Sequence, residues 1–393
     1  MTSGSGTPRP RVVILGGGIA GMEAALALAN LAGDRARLSL VAPSRDFVNR
    51  PLTVEEPFTQ KPADRRALEP ALAELGVEYI HGAVRAIDPD SHTIALRASD
   101  EELAYDFLVV CIGARFRDAY EGVETFWSDR SDLSVDALIR RAHSALRRTL
   151  VLIVPPGTSW SLPLYEVALM IRRRTEELDL ADLRLGILTP EPAPLDVFGA
   201  EVSGAIARLL AARHISVRTD LRIVQSPAGT LHLAPQGTPV EAGVVVTAPV
   251  IEGPSIPGVP DDPHGFIQVD EHGRVEGLSD VYAAGDGTTF PIKQGGLATQ
   301  QADAVAEHIA ARLGASVEPQ PFTPVLRGQL LTGSEPLYLT HGLAGDDEGA
   351  ASLNALWWSP QKVSGRYLTP WLERVDPTVD PQAAETRRSN SGT

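Results

Sequence analysis

A single cysteine, Cys111, stands in 393 residues. That excludes an internal disulfide and a zinc centre built on several thiolates, and no metal site is expected. Lysine is almost as scarce: Lys61, Lys293 and Lys362 stand against 32 arginines. The imbalance reads as compositional bias, against which a retained lysine marks a position to follow. Aromatic residues are 5% of the chain, and no apolar run approaches the roughly 18 residues that cross a membrane. Residues 1–10 have no hydrophobic core and read as a flexible tail, not a secretory leader. The net charge of −15 argues against a nucleic-acid partner and against general attraction to anionic lipid. An acidic, cytoplasmic protein of roughly two to three domains is expected, long enough to bury a core without staples.

What is present is a recurring alternation of apolar runs and helix formers. Arg11-Val12-Val13-Ile14-Leu15 has the β-branched look of a buried parallel strand. Gly16-Gly17-Gly18-Ile19-Ala20-Gly21 follows, then helix formers over 22–31, a stop at Gly33-Asp34 and a second strand over 36–41. Strand, glycine loop, helix and strand make one βαβ unit. Next come a helix over 62–75, a strand over 77–80, a small antiparallel meander over 83–105 with turns at 88–90 and 98–100, and a buried strand over 106–112. The pattern restarts with a strand over 150–154, helices over 164–178 and 201–213, and strands over 184–188 and 243–247. Four prolines within 253–263 read as a linker, after which 278–312 returns to strand, glycine loop and helix. The fold class is therefore α/β, with two Rossmann-like lobes and a small C-terminal domain. Residues 11–118 and 253–320 form a discontinuous first lobe, 119–252 the second, 321–375 the C-terminal unit and 376–393 a disordered tail.

Gly16-x-Gly18-x-x-Gly21 lies between strand and helix, the setting in which this spacing serves a dinucleotide. The first glycine permits a tight turn, the second lets backbone approach a pyrophosphate, and the third lets helix and sheet close. Ile19 and Ala20 sit at the helix N-terminus, whose free N–H groups face phosphate. The acid expected to end the second strand and hold the adenosine ribose is missing, since the sequence reads Leu40-Val41-Ala42-Pro43. Either another group binds the ribose or it faces water.

Far along the chain, Asp280-Val281-Tyr282-Ala283-Ala284-Gly285-Asp286 is a strand ending in Gly-Asp. Paired with the N-terminal loop, it resembles the second FAD-binding signature of flavoproteins with two dinucleotide-binding domains. Residues 105–114, ending at Gly113-Ala114, resemble the strand that closes over the cofactor in that family. Phe47-Val48-Asn49-Arg50-Pro51 resembles the loop after the second strand in sulfide:quinone reductases, flavocytochrome c sulfide dehydrogenases and type II NADH dehydrogenases. The likeness covers about residues 11–375. It implies non-covalent FAD, with Asp286 on the ribityl chain and Gly285 allowing close approach. Gly16, Gly18, Ile19, Ala20, Gly21, Arg50, Pro51, Gly113, Lys293, Gly296 and Leu297 are the further contacts it implies. It also implies that a helix over 298–311 points its N-terminus at the flavin pyrimidine ring, where it stabilises negative charge. Lys293 would add to that field, or else is a solvated loop lysine. Gln300 and Gln301 resemble the paired glutamines of a quinone site, or else are helix surface.

In NAD(P)H-using relatives the second lobe carries its own Gly-x-Gly-x-x-Gly. Here the loop reads Val154-Pro155-Pro156-Gly157-Thr158-Ser159-Trp160-Ser161. Proline donates no N–H, and the bulky residues block a pyrophosphate, so the nucleotide loop is degenerate. The loop resembles that of the sulfide dehydrogenases, with Trp160 or Ser161 near the position of their redox cysteine. Those enzymes need two cysteines, which this chain lacks. The likeness nominates Trp160, Lys293 and Glu166 as the reactive-side residues. Glu166 reads as a proton carrier with a raised pKa in a dry pocket, or as an acidic cap in a helix's first turn. Glu55 and Glu56 are lesser candidates by the same logic. Trp357, Trp358 and Trp371 could cover the flavin, form a homodimer contact or meet a membrane near a quinone; otherwise they are core.

The resemblance thus implies an FAD-dependent oxidoreductase of the sulfide:quinone reductase type, without a cysteine disulfide relay. It would take electrons from a small-molecule donor and pass them to a quinone, touching the inner face of a membrane peripherally. Two alternatives stand beside it: an NAD(P)H dehydrogenase with an atypical nucleotide site, and a non-catalytic flavin-binding sensor or interaction protein.

Overall fold

The computed structural model describes residues 8–59, 65–97, 99, 101–126, 134–345 and 348–375. The tail expected over 376–393, the start of the chain and most of the turn at 98–100 lie outside the described residues.

The fold is α/β and rests on two five-stranded parallel sheets. Across the first run Val281–Ala283, Phe107–Val110, Arg11–Leu15, Arg37–Ala42 and Val77–His81. Across the second run Glu124–Thr125, Val244–Thr247, Thr149–Ile153, Arg184–Leu188 and Ile215–Arg218. In each, chain order reverses beside the strand that opens the βαβ unit. At such a switch point a parallel sheet leaves a crevice outside its strand C-termini.

Alternate residues of a strand face opposite layers, and both sheets use this in the same way. Val12, Ile14, Leu40 and Val109 share a core with the helices α1 (Ile19–Ala32) and α6 (Gly295–Arg312). Val13, Leu15, Val41 and Val110 share another with the antiparallel meander Val84–Asp88, Thr93–Leu96 and Glu102–Ala104. In the second sheet, Leu150, Leu152 and Ile187 face α3 (Val135–Ser144), α4 (Leu162–Glu177) and α5 (Ala200–Ala212). Val151 and Ile153 face the ribbon carrying Ile223 and Leu233. Two segments that carry the chain between the sheets, Arg115–Arg117 and Val250–Glu252, pair antiparallel with each other.

One expected element is corrected. The helix read over 62–75 is the short α2, Leu68–Ala73, and Arg65–Ala67 pairs as a strand with Asp46–Val48. Pro70 is tolerated only in a first helical turn, which fixes the start close to it. Residues 62–64 lie outside the described residues.

The C-terminal unit is an antiparallel sheet of Val325–Leu330, Leu337–Gly342 and Ala350–Ser352, followed by α7 (Leu368–Val375). It presses on the second lobe so closely that a Cβ at Gly328 would stand 2.8 Å from both Leu162 and Phe198. The tryptophans divide: Trp371 is buried with its ring edge-on to Phe47 at 6.0 Å, Trp357 packs on Tyr338, and Trp358 is 70% exposed. No helix among the described residues is long and apolar enough to cross a membrane.

Arg172 of α4 is buried and ties three elements of the second lobe. Its guanidinium donates to the carbonyls of Ala181 at 3.1 Å, Leu183 at 3.1 Å and His214 at 3.2 Å. Arg172→Met strands these acceptors and is expected to lower stability by roughly 2–4 kcal/mol, measured by denaturant unfolding. Arg172→Lys should recover only part, because an ammonium cannot span the fork.

Candidate cofactor site and the ion pair behind it

The crevice of the first sheet is edged by the glycine loop. At Gly16 the backbone takes φ 110°, and a Cβ would come within 2.3 Å of the Cys111 carbonyl oxygen. At Gly21 it would come within 1.8 Å of the Gly16 carbonyl oxygen. Both glycines are demanded by internal packing. Gly18 is different: its φ is −84°, no side chain caps α1 there, and a Cβ would meet nothing within 4 Å. A glycine with no steric need inside the fold, beside uncapped helix N–H groups, leaves a cradle that fits a pyrophosphate. Buried Cys111 lies directly beneath, its thiol pushed up to about 12 by burial.

Across the crevice, the strand Val281–Ala283 leads to Gly285 and Asp286. Gly285 has φ 85°, and a Cβ there would stand 3.0 Å from that of Ala20. Asp286 is half-buried, and its carboxylate accepts no hydrogen bond from the described residues. Burial raises its pKa, while Lys293 and then Arg50 oppose the shift. Such an acceptor suits a polyol chain. Gly113, with φ 72° and open space at its Cβ position, borders the same crevice.

Lys293 is not a solvated loop lysine. It is half-buried, its ammonium lies 4.0 Å from the centre of the Phe266 ring, and it donates to the Thr288 carbonyl. Burial lowers its pKa to about 8 against the pull of Asp286 and Asp262. The adjacent helix α6 begins at Gly295, three residues before the expected start, because Gln294 caps it by accepting the Leu297 N–H at 2.8 Å. Gly296 and Leu297 are buried in that first turn. Neither Gln300 nor Gln301 is helix surface. Gln300 exchanges two backbone hydrogen bonds with Val325; Gln301 accepts the Gly285 N–H at 2.7 Å and donates to Thr288 Oγ1. Both amides are committed inside the protein.

In the second lobe the corresponding crevice is occupied by its own side chains. Glu191, just beyond Arg184–Leu188, accepts from Ser161 Oγ, Tyr165 OH and Thr189 Oγ1, each at 2.7 Å. The end of that strand is where a dinucleotide lobe would keep its ribose-binding acid. The local partner Thr189 gave no signal of Glu191's role, because the other two, Ser161 and Tyr165, come from the start of α4, 30 and 26 positions away. Trp160 tilts onto Phe198 with centroids 5.8 Å apart, as part of the second-lobe core.

Glu166 does not cap a first turn; it lies deeper in α4 and is fully buried. Lys362 donates to its two oxygens at 2.6 and 2.7 Å, and the Leu331 N–H adds a bond of 2.9 Å. Burial raises the Glu166 pKa, and the Lys362 ammonium pulls it back. Glu55, on the 3-10 helix Arg50–Phe58, faces the pair closely enough to act on it electrostatically. Lys362 was missed as a site residue, although its rarity as a lysine was a usable signal. Its neighbour Val363 lies against Gly295, a residue whose Cβ would also touch Ile19 and Pro51. The C-terminal unit thus reaches the meeting point of α1, α6 and the Arg50–Phe58 turn.

Removing one member of a buried ion pair leaves an uncompensated charge, at a cost of roughly 3–5 kcal/mol. Lys362→Met should lose about that much by denaturant unfolding, and the double variant Glu166→Leu with Lys362→Met distinctly less. An equal loss in the two variants would show that packing, not charge, dominates.

A sulfide-quinone reductase of Aquifex aeolicus (strain VF5) is 27% identical over 206 residues, which are 51% of this chain and 47% of that relative. The match therefore spans about half the length of the curated relative. Among solved structures, a sulfide:quinone oxidoreductase from Aquifex aeolicus superposes with a TM-score of 0.76 at 18% identity, covering 87% of this chain and 86% of that one. A ferredoxin reductase from Rhodopseudomonas palustris gives 0.61 at 20% identity, covering 86% and 84%. A NAD-dependent persulfide reductase from A. fulgidus gives 0.59 at 21%, covering 86% and 65%. These likenesses show a shared fold. The profile of the pyridine nucleotide-disulphide oxidoreductases matches residues 10–304, most of the sequence, and the chain belongs to that family of enzymes.

Proposed function

We propose that the protein is an FAD-dependent oxidoreductase of the sulfide:quinone reductase type, which oxidises a small donor and delivers the electrons to a quinone without a disulfide relay. The observation that carries this reading is the crevice with Gly18 open on one side and, on the other, an Asp286 carboxylate to which no described residue donates a hydrogen bond. The similar sulfide:quinone reductases of Aquifex aeolicus make sulfide and quinone the first substrates to test.

In this reading FAD is held non-covalently and supplies the two-electron relay between donor and acceptor. Gly16, Gly18, Ile19, Ala20 and Gly21 hold the pyrophosphate by backbone contact. Asp286 and Gly285 hold the ribityl chain, while Arg50, Pro51 and Gly113 border the ring. Gly296 and Leu297 present the α6 N-terminus to it, and the Lys293 ammonium adds positive potential where reduced flavin is anionic. Glu166, as the carboxylate of the buried ion pair with Lys362, would anchor the C-terminal unit against the second lobe and so position the residues that border the site. Exposed Leu353, Leu356 and Trp358 support peripheral contact with the apolar phase that stores quinone. The Pro155-Pro156-Gly157 loop and the Glu191 knot argue against nicotinamide as the donor.

Gly18→Val tests the cradle. Because the added side chain meets no protein atom at its base, the variant should fold with the unfolding behaviour of the flavin-free parent protein. Its flavin content should drop at least tenfold, read from visible absorbance of the purified protein. Normal yellow colour in that variant would defeat the proposal. Anaerobic mixing supplies the second check: sulfide with a soluble quinone should turn over, and NADH or NADPH should leave the flavin oxidised.

Lys293→Met should lower the flavin midpoint potential. The gap from the parent protein should narrow as pH rises past about 8, where the native lysine loses its own charge. Spectroelectrochemical titration at pH 7 and pH 9 measures both.

A further inference from the structure

Residues 362–368 form a strap along α1 and α6, where Val363 packs at Gly295 beside Ile19 and Pro51 on the rim of the site, and each end is clipped by a buried carboxylate. At one end Lys362 is held by Glu166 of the second lobe. At the other, Glu23 of α1 accepts the N–H of Tyr367 at 2.8 Å and of Leu368 at 2.6 Å, filling the otherwise open start of α7. Gly365 between them has no room for a side chain, since a Cβ would stand 2.5 Å from Glu23 Oε2. Arg366 reaches across to Glu307 of α6 at 2.8 Å, and the other Glu307 oxygen accepts the Gln320 N–H.

The two clips differ in charge. Glu166 is neutralised by an ammonium, whereas the side chain bonded to Glu23 is another carboxyl, Asp303 of α6. Asp303 Oδ1 is buried and without a partner. Two carboxyls can bond to each other only by sharing a proton, and repulsion keeps that proton in place. The groups facing the pair are Glu307 of α6 and Arg366 and Tyr367 of the strap; α1 contributes no charge besides Glu23. Arg366 pulls the Asp303 pKa down, but it is engaged by Glu307 and its side chain is mostly exposed, which weakens that pull. Burial, then the charge of Glu23, pushes the Asp303 carboxyl up to about 9. A group raised in this way favours the docked state at low pH and withdraws that support as pH climbs through its folded pKa.

We propose that the strap is a pH-released cover over the first-lobe crevice: a proton shared by Glu23 and Asp303 keeps residues 363–375 docked, and its loss frees them. Only the identity of the molecule covered rests on the FAD reading; the release does not.

Hydrogen-exchange mass spectrometry of the protein as purified, with protection factors corrected for intrinsic rates, tests this between pH 7 and pH 10. Peptides within 363–375 should lose at least tenfold protection in the parent protein, while those of Thr149–Ile153 stay level. Asp303→Asn, which keeps a donor to Glu23 but cannot ionise, should hold its protection throughout. Glu23→Ala should be poorly protected at both pH values. A flat profile in the parent protein overturns the proposal, as does an equal fall in Asp303→Asn. Flavin release, followed by fluorescence, should accelerate over the same interval. An exchange step in protein that never binds flavin would uphold the strap and overturn the cofactor reading.

Discussion

Everything in this molecule is arranged around the parting of two parallel strands. Arg11–Leu15 and Phe107–Val110 run side by side, and the chain leaves them in opposite directions. A sheet cannot fill the gap this creates, because the connections that would cover it lead away. The gap must take up backbone donors, and the chain meets it with a glycine turn, two helix N-termini and a half-buried acid.

The second lobe repeats the geometry and answers it differently. Its sheet has the same central order, yet prolines replace glycines in the first turn, and Glu191 draws Ser161, Tyr165 and Thr189 into the space. One crevice stays available to a ligand while its copy is satisfied internally. The C-terminal unit joins the two. It meets the closed lobe through Gly328 and the Glu166–Lys362 pair, and the open lobe through Glu23.

How much of this the sequence disclosed follows from the range of the interactions. The βαβ unit and the Gly-Asp strand end were legible because glycine spacing and β-branching act over a few residues. The helix over 62–75 was misread because strand pairing with Asp46–Val48, a contact between separate segments, outweighed local propensity. Glu166 was identified as an acid of interest, but not its partner, which lies 196 positions away. Glu23 was passed over as one more residue of an alanine-rich helix, although its acceptors serve amides 344 and 345 positions on. Gln300 and Gln301 were noticed for their pairing, and only the tertiary structure showed that backbone claims both amides.

The solitary thiol acquires a use from its position. Cys111 touches the underside of the glycine turn, and burial keeps it protonated well above neutrality. Maleimide or iodoacetamide reacts with thiolate that solvent can reach, so labelling at this residue has to wait until the turn opens. The native polypeptide therefore carries a built-in chemical clock for the integrity of its phosphate cradle, legible by mass alone and without any introduced probe.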